Sequence, residues 1–243
     1  MKRYELTDET KTLADGTVLH RIRAVKDFTL ADGTKVLAGD LGGWIKKEYN
    51  LSHVGSAWVY GNAEVYDDAE VNGNACVYGN AWVFGNACVS CNAWVYGNAQ
   101  VFDNARVFDN ARVYGNAWVY GNAWVYGDAW VYGNAKVWGE AQVYGNALVY
   151  GDADYITFKN SWSSGRWFTY TRSNKMWKVG CFHGTSDELV RKAYADSELS
   201  GKRYEAIVRA VETIELAKAD ALGPVSPPSL AGQIDLSTKG EHK

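Results

Sequence analysis

The sequence predicts an all-β solenoid, a parallel β-helix of six-residue rungs, over residues 57–153. Two observations predict the strands. From Ala57 an alanine recurs every six residues through Ala153, seventeen times, and from Val59 to Val149 a valine recurs at the same period, sixteen times. A third observation sets the wrap: the residues that follow the valines sort into uniform columns only when three rungs make one coil.

The unit is A-x-V-(Y/F)-(G/D)-(N/D), as in Ala81-Trp-Val-Phe-Gly-Asn86. A period of six fits neither a helical stripe nor a heptad, whereas A-x-V reads as in-out-in along a strand. Ala and Val then fill a narrow, dry interior with no room for a ligand. Gly-Asn or Asp-Asn supplies residues that tolerate positive φ at a corner. At eighteen residues per coil, Tyr60, Tyr78, Tyr96, Tyr114, Tyr132 and Tyr150 share one edge. The second edge reads Tyr66, Phe84, Phe102, Tyr120, Trp138, and the third Asn72, Ser90, Phe108, Tyr126, Tyr144. The outward positions form three faces: Trp58, Cys76, Trp94, Arg112, Trp130, Leu148; then Glu64, Trp82, Gln100, Trp118, Lys136; then Glu70, Cys88, Arg106, Trp124, Gln142. A wrap of twenty-four residues mixes the edges. Sixteen rungs make a little over five coils, a prism on the order of 25 Å tall at about 4.8 Å per coil.

A solenoid exposes unpaired strand edges at both ends, and these must be covered. Residues 1–56 are predicted to be an N-terminal β cap and lead-in, with Asp-Gly turns in Leu13–Thr17 and Leu30–Thr34. Glycines beside Trp44 suit a chain turning onto the first coil. Residues 154–220 are predicted to hold a β-hairpin plus two helices. Arg166–Arg172 and Lys175–His183 flank a turn at Ser173-Asn174. Ser186-Asp-Glu opens the first helix with an N-cap and early acids. The second runs from about Lys202 to Lys218 with Tyr204, Ile207, Val208, Val211 and Ile214 on one side. Residues 221–243, with Gly223-Pro-Val-Ser-Pro-Pro-Ser229, read as a disordered tail.

A net charge of −3 argues against nucleic acid or membrane as partner. Residues 57–152 carry nine acids against three bases, or −6, while residues 153–243 carry thirteen bases against eleven acids, or +2. The N-terminus has no apolar stretch behind Lys2 and Arg3, which argues against a secretory signal, and no apolar run is long enough to span a bilayer. Four irregularly placed cysteines fit a reduced, cytoplasmic protein rather than a disulfide scaffold. The compositional anomaly is eleven Trp and sixteen Tyr, most of them in the repeat.

Val-Tyr-Gly-Asn-Ala-Trp resembles the repeat of the hexapeptide-repeat superfamily of left-handed parallel β-helices. It departs at the second position, where Tyr or Phe replaces a small residue. The stretch from Gly39 through Tyr49-Asn-Leu-Ser52 also resembles the lead-in of uncharacterised hexapeptide-repeat proteins of tailed phages and prophages, a likeness covering residues 1–150. The resemblance implies left-handed coiling and a host-cell cytoplasm as the setting, and no particular activity. Hexapeptide rods include acyltransferases with a catalytic His on a coil. Here no His lies between Ala57 and Ala153 and no loop interrupts the rungs. His53, in the lead-in, reads as a structural, partner-bonded residue. The expectation is no enzyme, no catalytic residue and no cofactor.

Cys88-Val-Ser-Cys91 is a CxxC, but its cysteines take an outward and a corner position, and Cys76 belongs to another face. A zinc site needs further ligands, and Cys181-Phe-His183 is far along the chain, so no metal is expected. Aromatic corner columns stack in neighbouring coils and stabilise a solenoid without binding anything. Outward tryptophans are different, because a solvated face needs none. Trp58, Trp82, Trp94, Trp118, Trp124 and Trp130, with Arg112 between Trp94 and Trp130, have the composition of a binding surface. Arg166, Trp167, Arg172, Trp177 and Lys178 are a secondary candidate. Their basic and aromatic alternation suits single strands or phosphates, or the two faces of a half-buried hairpin. The expected function is a non-catalytic binding protein, a phage accessory or counter-defence factor. It would dock a host protein, or another copy of itself in a dimer or trimer, through aromatic faces. Alternatives are a sequestering protein for a nucleotide-like ligand, a structural or assembly component, and last an acyltransferase.

Overall fold

The computed structural model describes residues 2–162 and 165–222, the side chains of 218–222 excepted. The chain divides after Leu189. The solenoid is built of sixteen two-residue strands, from β6 (Trp58–Val59) to β21 (Leu148–Val149), one every six residues. Each of the first thirteen pairs in parallel with the strand eighteen residues on, as Trp94 with Arg112 and Arg112 with Trp130. The coil therefore holds three rungs, and every repeat Ala and Val from Ala57 to Val149 is buried.

The corners split the labour of Gly-Asn. Positive φ falls on the first residue alone: 71° at Gly97, and 53–58° at Asp67, Cys91, Asp103 and Asp109. A Cβ on Gly97 would meet the Gly115 backbone at 3.1 Å, so these corners pack backbone on backbone. The Asn does something the sequence reading did not foresee. Asn62, Asn80, Asn98, Asn116 and Asn134 form a ladder in which each Nδ2 donates to the next Oδ1 at 3.1–3.2 Å. The other corners carry Asn74–Asn92–Asn110 ending on Asp128, and Asn86–Asn104–Asn122 ending on Glu140.

The N-terminal cap holds both predicted turns. β1 (Tyr4–Thr12) and β2 (Val18–Ala24) pair antiparallel across the first, and β3 (Phe28–Thr29) and β4 (Lys35–Val36) across the second. β5 (Leu41–Ile45) is antiparallel to β2 and parallel to β7 (Glu64–Val65), with Trp44 beside Glu64. Leu51 bridges Val71 in parallel, and β6 completes the turn. The lead-in is thus a sixth coil, one more than the five complete coils that the repeat implies. Its pattern is hidden because Gly43 takes the alanine position and two extra residues separate Leu51 from Val59. Even a methyl at Gly43 would stand 2.7 Å from the Ala63 carbonyl oxygen.

The ladder has a direction that dictates its caps. Each outward residue's N–H donates to the alanine carbonyl seventeen residues on, as Trp94 to Ala111 at 2.9 Å. The first coil is left with free carbonyls and the last with free N–H groups. At the N-terminal end the buried Arg3 guanidinium donates to the carbonyls of Ser52, Gly55 and Ala57, and the Tyr4 hydroxyl lies 2.6 Å from those of Glu48 and Leu51. At the other end Asp152 Oδ1 accepts from Lys136 N–H at 2.8 Å, Thr169 Oγ1 from Gln142 at 3.0 Å and Ser173 Oγ from Leu148 at 2.7 Å. One side-chain oxygen serves each face.

Thr169 and Ser173 belong to a four-stranded antiparallel meander, larger than the predicted hairpin: β22 (Tyr155–Lys159), β23 (Trp167–Thr171), β24 (Met176–Val179) and β25 (Phe182–Gly184). The turn at Ser173-Asn174 joins β23 to β24 as expected. α1 spans Ser186–Asp196, but its cap is Thr185 rather than Ser186. The Thr185 N–H and Glu188 Oε2 are 2.8 Å apart, and Glu188 N–H donates back to Thr185 Oγ1, a capping box. α2 spans Glu198–Leu222, longer than predicted, with Val208 and Val211 buried and Ile214 exposed. The predicted tail lies outside the described residues from 223 onward. Among the described residues no helix is long and apolar enough to cross a membrane.

Candidate functional site

Trp94, Arg112 and Trp130 are successive rows of one parallel sheet. The Arg112 guanidinium carbon lies 5.4 Å from the Trp94 ring centre and 5.1 Å from that of Trp130. The same pairing recurs on the other faces, with Arg106 5.5 Å from Trp124 and the Lys136 amine 4.9 Å from Trp118. Each indole is also held from the side. Trp94 stands edge-on to the corner ring of Tyr78 at 6.0 Å, Trp130 to Tyr114 at 6.3 Å, Trp118 to Phe102 and Trp124 to Phe108. The corner tyrosines in turn stack at 4.8–5.2 Å from Tyr60 to Tyr132. Sequence periodicity foresaw both the stacks and the Trp–Arg–Trp order. The slot between Trp94 and Trp130 is filled by the guanidinium, which leaves no space there for a stacked base.

Trp82, Trp118 and Trp124 are 36–40 % exposed, and Trp94, Arg112 and Trp130 are half-buried. Trp58 requires a correction. It is only 2 % exposed, because the N-terminal cap folds over that end of the face and sets Phe28 edge-on to it at 5.3 Å, with Tyr4 at 6.2 Å. Outwardness along a strand is not exposure where a cap lies across it.

Charge is segregated. Every acid of the −6 segment except Glu64 and Glu70 sits at a corner, and Glu64 is buried against Lys11. The corner acids are committed: Asp103 and Asp109 accept the N–H groups of Gly121 and Gly127 at 3.1 Å, and Asp128 and Glu140 end Asn ladders. From Trp82 onward the outward positions carry cations and no acid. Among the described residues, Arg106 and Arg112 have no carboxylate partner.

The secondary candidate does not form one surface. Trp177 is fully buried, edge-on to Phe158 and Phe168 at 6.3–6.4 Å, with its Nε1–H donating to Ser186 Oγ at 3.1 Å. It is the core of the meander, because an alternating strand over a solenoid end turns one side inward. Lys178, next along, reaches the other way and stands 5.8–5.9 Å from the Tyr126 and Tyr144 rings, where burial lowers its pKa. Arg166, Trp167 and Arg172 remain partly exposed.

His53 Nδ1 accepts the Arg3 N–H at 3.3 Å, its Nε2 is 3.1 Å from Glu48, and its ring stacks on Tyr4 at 4.3 Å. All four cysteines are free, and burial pushes the Cys76 thiol up to about 12 and raises that of Cys88. No group of three His, Cys, Asp or Glu among the described residues is placed to hold a metal ion.

His183 was noted in the sequence only beside Cys181, and its position is unexpected. It stands edge-on to Tyr144 at 4.0 Å, with Nε2 buried and without a hydrogen-bond partner. Desolvation and then Lys178 lower its pKa below the ordinary 6.5, against a smaller upward pull from Glu188. The unfolded chain therefore takes the proton first. Stability should be full above about pH 6.5 and fall as pH drops through that value. Melting temperatures of wild type and His183→Gln between about pH 8 and pH 5 test this, and the variant should show the shallower decline.

Residues 99–115, 105–121, 111–127, 117–133 and 141–153 match a family described as the YdcK beta solenoid repeat. The chain is a solenoid repeat protein. The matched segments lie in the coils of the solenoid and end at residue 153, so the likeness concerns the coil. No curated protein matches the sequence.

Proposed function

We propose that this solenoid is a non-catalytic binding protein of the cytoplasm that docks a protein partner on the face holding Trp94, Arg112 and Trp130. The observation that carries the reading is the Arg112 guanidinium held between two half-buried indoles with no carboxylate partner among the described residues. Indoles fixed on both sides lose little conformational freedom on binding, and Trp and Arg are the residues that dominate binding energy at protein interfaces. The solenoid interior is closed by Ala and Val, so recognition has to happen outside. The lead-in's resemblance to proteins of tailed phages and prophages favours a host protein as the partner and an accessory or counter-defence role.

Trp94→Ala combined with Trp130→Ala tests the reading. The buried Ala and Val of the coil are untouched, so the β signal in circular dichroism should persist. Host-lysate protein retained by the wild type should be lost, an effect of ~2 kcal/mol or more for each buried indole. Retention of the same protein by the double variant, with unchanged mass in solution, would place docking elsewhere. A change in solution mass alone would identify the partner as a second copy.

A further inference from the structure

Resting on the docking proposed above, we infer that Arg112 is the anchor for a carboxylate, an Asp or Glu side chain presented by an acidic partner protein. With an indole on either side, the guanidinium has its N–H groups left for the open side of the face. A guanidinium is a rigid fork of donors whose natural match is a carboxylate taken two-pronged. Every acid near its coil is already bound to backbone or Asn groups at a corner, so the fork finds no carboxylate partner among the described residues. The tryptophans also shed water when covered, and a charge-assisted hydrogen bond gains strength in that drier setting.

The distribution of charge selects a protein over a nucleic acid. The corner on one side of the Arg112 face carries Asp109 and Asp128, and the segment sums to −6. Arg112 is the one charged side chain at the outward positions of that face, so a polyanion of evenly spaced phosphates would meet a single cation there beside those acids. A single carboxylate on a protein protrusion matches that single cation. Arg106 supplies an internal control, since it is exposed and has only one indole, Trp124, against it.

The test titrates the full chain with poly-L-glutamate, read by tryptophan fluorescence and calorimetry. Parallel titrations use poly-L-lysine and a single-stranded oligodeoxynucleotide of equal charge. Saturable quenching by poly-L-glutamate is expected, weakened about tenfold or more by Arg112→Gln, less by Arg112→Lys, and under about threefold by Arg106→Gln. Absence of saturation, equal loss in the Arg106 and Arg112 variants, or tighter binding of the oligonucleotide would overturn the carboxylate assignment. The two proposals fail separately. A protein partner retained by Arg112→Gln but lost by the double Trp variant leaves the docking face standing and removes the carboxylate.

Discussion

Val107→Asp unfolds the solenoid. Val107 is fully buried, stacked in parallel between Val89 and Val125, in an interior of alanine and valine that offers a carboxylate no donor. Leaving the charge there costs several kcal/mol, or forces the group to stay protonated, and whole domains are stable by only about 5–15 kcal/mol. The repeat also multiplies the damage, because each coil contacts only its neighbours and one broken coil severs two interfaces. Loss of the cooperative thermal transition, or recovery only in the insoluble fraction, is the expected outcome. Gln100→Ala, at a partly exposed outward position, should leave the melting temperature within about 2 °C of the parent. A folded Val107→Asp of parental stability would invert the assignment of inside and outside.

Arg3→Met should cost about 3 kcal/mol or more. The substitution keeps an apolar stem but removes the donors that serve the carbonyls of Ser52, Gly55 and Ala57. Those acceptors sit where the first coil has no coil before it, so no other backbone can replace them. Chemical denaturation should show a lower midpoint, and Arg3→Lys should recover only part of the loss, because one ammonium cannot span three carbonyls. Parental stability in Arg3→Met would mean that the β1–β2 hairpin alone closes this end.

The coil was legible in the sequence because period, inward residues and corner residues all repeat together. Seventeen alanines leave little freedom in where strands begin, and the eighteen-residue columns set who stands beside whom, down to Arg112 between Trp94 and Trp130. Whatever depends on contacts between unlike segments was not legible. Trp58 carries the same periodic signal as the exposed tryptophans, and Trp177 the same alternation as its exposed neighbours, and only packing against Phe28 or Phe158 distinguishes them. The first coil was hidden for the opposite reason. Leu51 takes its place through one bridge to Val71, without the alanine that marks other rungs. The Asn ladders could have been read, since the Asn columns repeat at eighteen residues as faithfully as the tyrosines. Each side-chain amide in a column can give and accept one bond along it.

The opposite chemistry of the two ends makes the solenoid a spacer of adjustable length. Its N-terminal closure satisfies the first carbonyls and its C-terminal closure the last N–H groups, while every coil between presents the same donors above and acceptors below. Eighteen residues can be added or removed in mid-solenoid, Ala93 to Asn110 for example, and both closures still meet the chemistry they require. Each such step moves the two ends by about 4.8 Å and changes which aromatic rows the solenoid presents. Length and surface pattern can therefore vary by whole coils without any change in how the molecule is sealed.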